Sequence, residues 1–241
     1  MSAMTTPLDP WHGLRRLTAA RIAQGHVGVS MPTAPQLAFQ LAHAQARDAV
    51  HVPLDVAALA AQLGEPSLPV HSLAPDRPTY LRRPDLGRRL DEASRARLAA
   101  HAGRHDIGVV LADGLSAPAI ARHGAPLYAL LRQALPSLRF APPVLAEQAR
   151  VALGDDIGAA LGAQLVVVLI GERPGLSSPD SMGIYLTWAP RVGLTDERRN
   201  CISNVRPEGL PYGQALAALL YLIDGARRLH TTGVALKDQR P

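Results

Sequence analysis

The side chains with the most chemical potential in this chain stand at the ends of apolar runs. In "LVVVLIGERPGLSSPDS", residues 165–181, six Leu, Val and Ile residues give way to Glu172 and Arg173, held between Gly171 and a Pro-Gly pair. A carboxylate and a guanidinium on a stiff loop can accept from, and donate to, the polar rim of a ligand. "ADGLSAP" sets Asp113 and Ser116 in the same position after the run at 106–111. No G-x-S-x-G elbow surrounds Ser116, so it reads as a helix cap and not a nucleophile. His101 and His105 have helical spacing, but "HAGRH" carries a glycine and no acidic third ligand, so no metal site is expected there. Neither G-x-G-x-x-G nor G-x-x-x-x-G-K-[ST] occurs. Cys201, the single cysteine, excludes an intrachain disulfide, and by residue type alone it reads as a buried, inert thiol.

These residues need elements to position them. An unbroken β-branched run bounded by Gly and Pro predicts a strand buried on both faces. "DIGVVLADG" predicts a strand, "LSAPAIARHGAPLYALLRQAL" a helix with a Gly-Ala-Pro interruption, "APPVLAE" a weak strand and "ALGDDIGAALG" a short helix. After the strand of residues 165–170 come "MGIYLTWAP" and "NCISNV", read as antiparallel additions at one edge, and a last helix, "YGQALAALLYLIDGARRL". Strands alternating with helices predict an α/β fold with a Rossmann-like, mostly parallel sheet and helices on both faces. Ligands of such sheets bind beyond the carboxyl ends of the strands, so the loops after Leu111 and Ile170 are expected together on one edge.

Before this the pattern is helical. "GLRRLTAARIAQG" aligns Leu14, Leu17 and Ile22, and "APQLAFQLAHAQARDAV" aligns Leu37, Leu41, Ala44 and Val50. The Pro-rich stretch at 64–85 reads as a linker. The division expected is a helical N-terminal segment over 1–75 and a Rossmann-like domain over 76–241.

Composition is globular, with 47% hydrophobic and 19% charged residues. No eighteen apolar residues run together, so no membrane span is expected. The net charge of +5 invites nucleic acid as a partner, but the arginines are dispersed as doublets and aromatics are only 4%. Arginine doublets suit ion pairs at a protein interface at least as well.

Four blocks say more: "YLRRPDLGRRL", "DGLS", "LGAQLVVVLIGERPGLSSPDSMGIYLTWAPR" and "RNCISNVRPEG". In this order and spacing they resemble the small subunit of ethanolamine ammonia-lyase, from "RIAQGHVGVSMPT" through "TGVALKD". The resemblance implies an adenosylcobalamin-dependent lyase that turns ethanolamine into acetaldehyde and ammonia, active only with a large TIM-barrel subunit in a hetero-oligomer. It implies cofactor-contacting positions at Val151, Glu172 and Cys201, with neither a catalytic residue nor a metal ligand required of this chain. The chain has no D-x-H-x-x-G motif, so the resemblance implies that the cofactor keeps its own dimethylbenzimidazole as lower ligand. A stand-alone cobalamin carrier is the first rival reading and a basic nucleic-acid-binding protein the second. The stretch before the first helix, "MSAMTTPLDP", is short for family members packed into a bacterial microcompartment, which makes a cytoplasmic enzyme the expectation and a microcompartment the alternative.

Overall fold

The computed structural model describes residues 11–18 and 20–240. The chain runs α1 (Thr33–His51), α2 (Val56–Leu63), β1 (Leu68–His71), α3 (Arg77–Arg82), α4 (Glu92–Ala99), β2 (His105–Ala112), α5 (Ala117–Ala134) and β3 (Val144–Glu147), then α6 (Leu153–Leu161), β4 (Ala163–Gly171), β5 (Met182–Trp188), β6 (Arg199–Val205) and α7 (Tyr212–Leu229). The strands form one sheet in the order β1-β3-β2-β4-β5-β6. The first four are parallel, and β5 and β6 run antiparallel at one end. This is the α/β architecture expected, with two antiparallel strands where the sequence put them.

The central pair explains why the sheet is covered twice. β2 and β4 lie in register, Val110 beside Val168, and alternate residues face opposite ways. Ile107, Val109, Leu111, Leu165, Val167 and Leu169 pack under α5, α7 and α2. Val110, Ala112, Val166, Val168 and Ile170 pack under α4 and α6. With both faces buried, polar alternation has no place in these strands, hence the continuous Val/Leu runs.

Three readings of the N-terminal third are corrected. The stretch expected as a linker carries α3 and β1, an edge strand whose one neighbour in the sheet is β3. Four residues with a proline among them give no period to read, and an edge strand tolerates Pro69. The helix expected around Leu14, Leu17 and Ile22 is only a 3-10 turn, His12–Arg16. Leu14 and Leu17 are exposed, so no tertiary packing rewards the longer helix. The helix expected at 34–50 forms as α1, but it buries Ala42 and Ala49 and leaves Leu37 and Leu41 58% and 61% exposed. No helix of the described residues is long and apolar enough to cross a membrane.

Candidate functional site

From β2 the chain passes through α5 to β3 on one side and, by way of α6, to β4 on the other. The connections leaving the adjacent strands β3 and β2 therefore run to opposite faces of the sheet, to α6 and to α5, and between the loops after these two strands a crevice opens. A cavity of about 370 Å³ lies there, lined by Gly114 and Leu115 after β2, Val151 after β3, and Ile170, Glu172 and Arg173 at the end of β4. Tyr80, Arg150 and Tyr185 complete its walls.

The loops after β2 and β4 do lie together. Leu115 N donates to Gly171 O at 2.9 Å, and Ser116 Oγ donates to Pro179 O at 2.8 Å. Ser116 also caps α5 by accepting from Ala119 N, as its sequence position predicts. The approach is so close that a Cβ on Gly114, itself at φ +55°, would stand 2.2 Å from Gly171 O. Glycine at both positions is the condition for the loops to meet.

Glu172 is half-buried and fixed from three sides. Its backbone N–H donates to Ser181 O at 2.9 Å, Ser181 Oγ donates to its carboxylate, and Asn204 N donates to Oε2 at 3.2 Å. It forms no ion pair with Arg173 or with any other described residue. The carboxylate is thus a rigid acceptor with lone-pair capacity to spare.

Behind the crevice, buried Asp113 orders the turn that carries Val151. It accepts from Gln148 N at 2.9 Å and Ala149 N at 3.0 Å, and Arg77 Nη1 stands 3.4 Å away. Burial pushes the Asp113 carboxyl up to about 6, against the opposing pull of those N–H groups and of Arg77. Arg77 also donates from Nε to Val50 O at 2.6 Å, tying α1 to the same point. The Tyr80 ring lies between the guanidinium groups of Arg77 and Arg150, 4.7 and 4.2 Å from its centroid, and its hydroxyl donates to Ala149 O at 2.9 Å. Burial raises the Tyr80 phenol.

The structure brings Val151 and Glu172 to one crevice and sets Cys201 one residue behind its wall. Cys201 stands opposite Tyr185 in the β5–β6 ladder, and Tyr185 is the residue that faces the cavity. Cys201 is exposed, correcting the expectation of a buried thiol, and its Sγ lies 3.3 Å from Ser203 Oγ. Burial, aided by the thiol and by the Glu172 charge, raises the Tyr185 phenol. His105 Nε2 lies 3.1 Å from the His101 carbonyl oxygen. A larger cleft of about 750 Å³ beside α6 is walled by Asp155 and Arg199, which are paired with each other, and by Arg88 and Arg89, which form no ion pair among the described residues.

The family model for the ethanolamine ammonia-lyase light chain matches residues 8–237. The chain belongs to this family. Proteins named ethanolamine ammonia-lyase small subunit are 59% identical over 97% of this chain and 90% of their own length in Ralstonia nicotianae, and 60% identical over 96% and 88% in Pseudomonas aeruginosa. The relative in Azotobacter vinelandii is 58% identical, over 96% of this chain and 89% of its own length. As a light chain of ethanolamine ammonia-lyase it belongs to a carbon–nitrogen lyase. Of the residues that sequence reasoning named, Glu172 from the strand end and Val151 from the family resemblance line the crevice, and Cys201, also from the resemblance, does not. That reasoning missed Asp113 as organiser, Arg150, and the Tyr80 ring, for which "YLRRP" alone gave no signal.

Proposed function

We propose that this chain, with a large TIM-barrel subunit, encloses adenosylcobalamin at the subunit interface and so completes ethanolamine ammonia-lyase. The observation that carries the proposal is the crevice between the loops after β3 and β2, where Val151 and the anchored Glu172 converge with Tyr185 and Cys201 behind them. The fit is partial in an informative way. A cavity of about 370 Å³ lies near the lower end of the range of roughly 300–1,000 Å³ for small-molecule sites and takes only an edge of a corrinoid, so the rest must be covered by a second chain. The donor set suits that edge: Glu172 accepts from amide N–H or hydroxyl groups, and Val151 and Leu115 pack the ring periphery.

When bound, adenosylcobalamin supplies the radical chemistry that converts ethanolamine to acetaldehyde and ammonia. Around it, Glu172 fixes orientation, the Asp113-ordered turn holds Val151 against it, and the joined loops after β2 and β4 exclude water from one side. No general base in this chain is needed for that role. A cytoplasmic location belongs to the same reading.

The test is reconstitution. The isolated chain should show no deamination of ethanolamine with adenosylcobalamin, and activity should appear when the large subunit is added. Robust activity from the chain alone would overturn the subunit role, and tight binding of cobalamin by the isolated chain, without gain on adding the large subunit, would favour the carrier.

A further inference from the structure

Among the described arginines, the side chains of Arg77, Arg150, Arg199 and Arg206 lie in residues that are at least partly buried. Arg77 stands within ion-pair distance of Asp113, Arg199 of Asp155 and Asp196, and Arg206 of Asp180. Arg150 alone has no carboxylate partner. Its Nη2 donates to Tyr80 O at 3.1 Å, and its Nε, like those of Arg199 and Arg206, is buried without a hydrogen-bond partner, so that only in Arg150 is no part of the guanidinium met by a carboxylate. A guanidinium taken partly out of water and left unpaired is costly, and it is retained where an anion completes it.

Position says where that anion enters. Arg150 lines the crevice beside Val151, and the exposed Arg173, which forms no ion pair among the described residues, stands on the same crevice's wall. Arg150 is also preset: its guanidinium stacks on Tyr80 at 4.2 Å, and a Cβ on Gly87 would come within 2.9 Å of its Cγ, so its stem is confined. A stacked arginine with free N–H groups matches a phosphodiester. The only neighbouring carboxylate on the crevice wall, Glu172, is engaged with Ser181 and Asn204.

We propose that Arg150, with Arg173 at the rim, is the subsite for the phosphodiester of the cofactor's nucleotide loop. The proposal rests on the cofactor reading above and adds to it which end of the corrinoid this crevice grips. Glu172 then accepts from the amide or hydroxyl groups nearby, and the two arginines neutralise the one anionic group of that loop.

The experiment uses the assembled enzyme and measures binding by the absorbance change of the corrinoid, for adenosylcobalamin, for adenosylcobinamide, which lacks the whole nucleotide loop, and for adenosylcobinamide phosphate, which restores the phosphate without the base. Arg150→Met should weaken adenosylcobalamin and the phosphate analogue about ten- to a hundredfold and leave adenosylcobinamide within about twofold. Arg173→Met, at an exposed position where folding is not at stake, should give the same pattern at up to about fivefold. Arg150→Lys should recover part of the loss, since charge remains without the planar fork. Equal losses for all three corrinoids would assign the arginines to folding or to a carboxylate of the large subunit and overturn the subsite. A loss for adenosylcobalamin alone would assign Arg150 to the base, and unchanged binding of all three would also overturn it. If the wild-type assembly binds none of the three, the cofactor reading itself falls.

Discussion

Helices α1 and α5 are nearly equal, 19 and 18 residues, and both carry apolar residues at helical spacing. α5 buries Ile120, Leu127 and Leu131 completely against the sheet, whereas α1 buries only two alanines and turns Leu37, Leu41 and Phe39 outward. The difference teaches that periodicity states where a helix could bury a face, and the partner surface decides whether it does. α5 sits over the central pair β2–β4, as its place between two parallel strands demands. α1 precedes every strand, so no connection forces it onto the sheet; its alanines suffice to make it helical.

The comparison breaks first at the core. Leu131→Ala should cost about 2–5 kcal/mol in a denaturant midpoint of the isolated chain, because the side chain is fully buried. A loss below 1 kcal/mol would mean that α5 is no better packed than α1. Between the two regions stands Asp113, which holds the Val151 turn and, through Arg77, the end of α1. Its folded value near 6 lies above the ordinary 3.8. As pH rises from about 4 to about 6, the unfolded chain therefore releases this proton before the folded one, and stability falls across that window. Buried Asp155, also raised by desolvation, adds in the same direction. Asp113→Asn should melt lower throughout and show a shallower decline between pH 4 and 6; an unchanged slope would refute the assignment.

At the crevice the expected effect is on binding more than on folding. Glu172→Ala in the assembled enzyme should weaken adenosylcobalamin by about 1–3 kcal/mol, roughly 5- to 150-fold, with turnover at saturating cofactor far less altered. Glu172→Gln, which keeps one acceptor oxygen, should lose less. Unchanged affinity with collapsed turnover would move Glu172 into catalysis or assembly. The smallest effect belongs to α1: Leu41→Ala should change the stability of the isolated chain by no more than about 0.5 kcal/mol, since the side chain is 61% exposed. A larger loss would show that α1 is more deeply engaged than its surface implies.

Much of the body was legible because burial on both faces leaves a plain record. β2, β4, β5, α5, α6 and α7 all coincide with runs bounded by Gly, Pro or cap residues. β1 was not legible, since four residues around Pro69 carry no period, and neither was the fate of Leu14 and Leu17, which depended on a packing surface that the described residues do not offer. The crevice was half legible. Glu172 announces itself at a strand end, but Cys201 gains its place from a cross-strand neighbour, and Arg150 from stacking on a tyrosine far away in sequence and from lacking an aspartate. Absence of a partner is a property of three dimensions.

The antiparallel turn from β4 into β5 has one more consequence. The chain that leaves the sheet at Gly171 returns at Met182 on the same edge, and Glu172 N already donates to Ser181 O at the base of the excursion. A second clasp closes further out, where Gly175 and Ser178 exchange backbone hydrogen bonds at 3.1 and 3.2 Å. The tip beyond it, Leu176 and Ser177, is already a two-residue turn, with Leu176 O accepting from Arg21 Nη2 at 3.2 Å; lengthening it leaves the inner clasp in place, and doubling the loop adds only about 0.6 kcal/mol of closure entropy. Had β5 been parallel, the same segment would have had to recross the whole sheet, and every change in its length would have been felt at Glu172. The strand reversal thus lets this part of the chain lengthen while the carboxylate stays where it is.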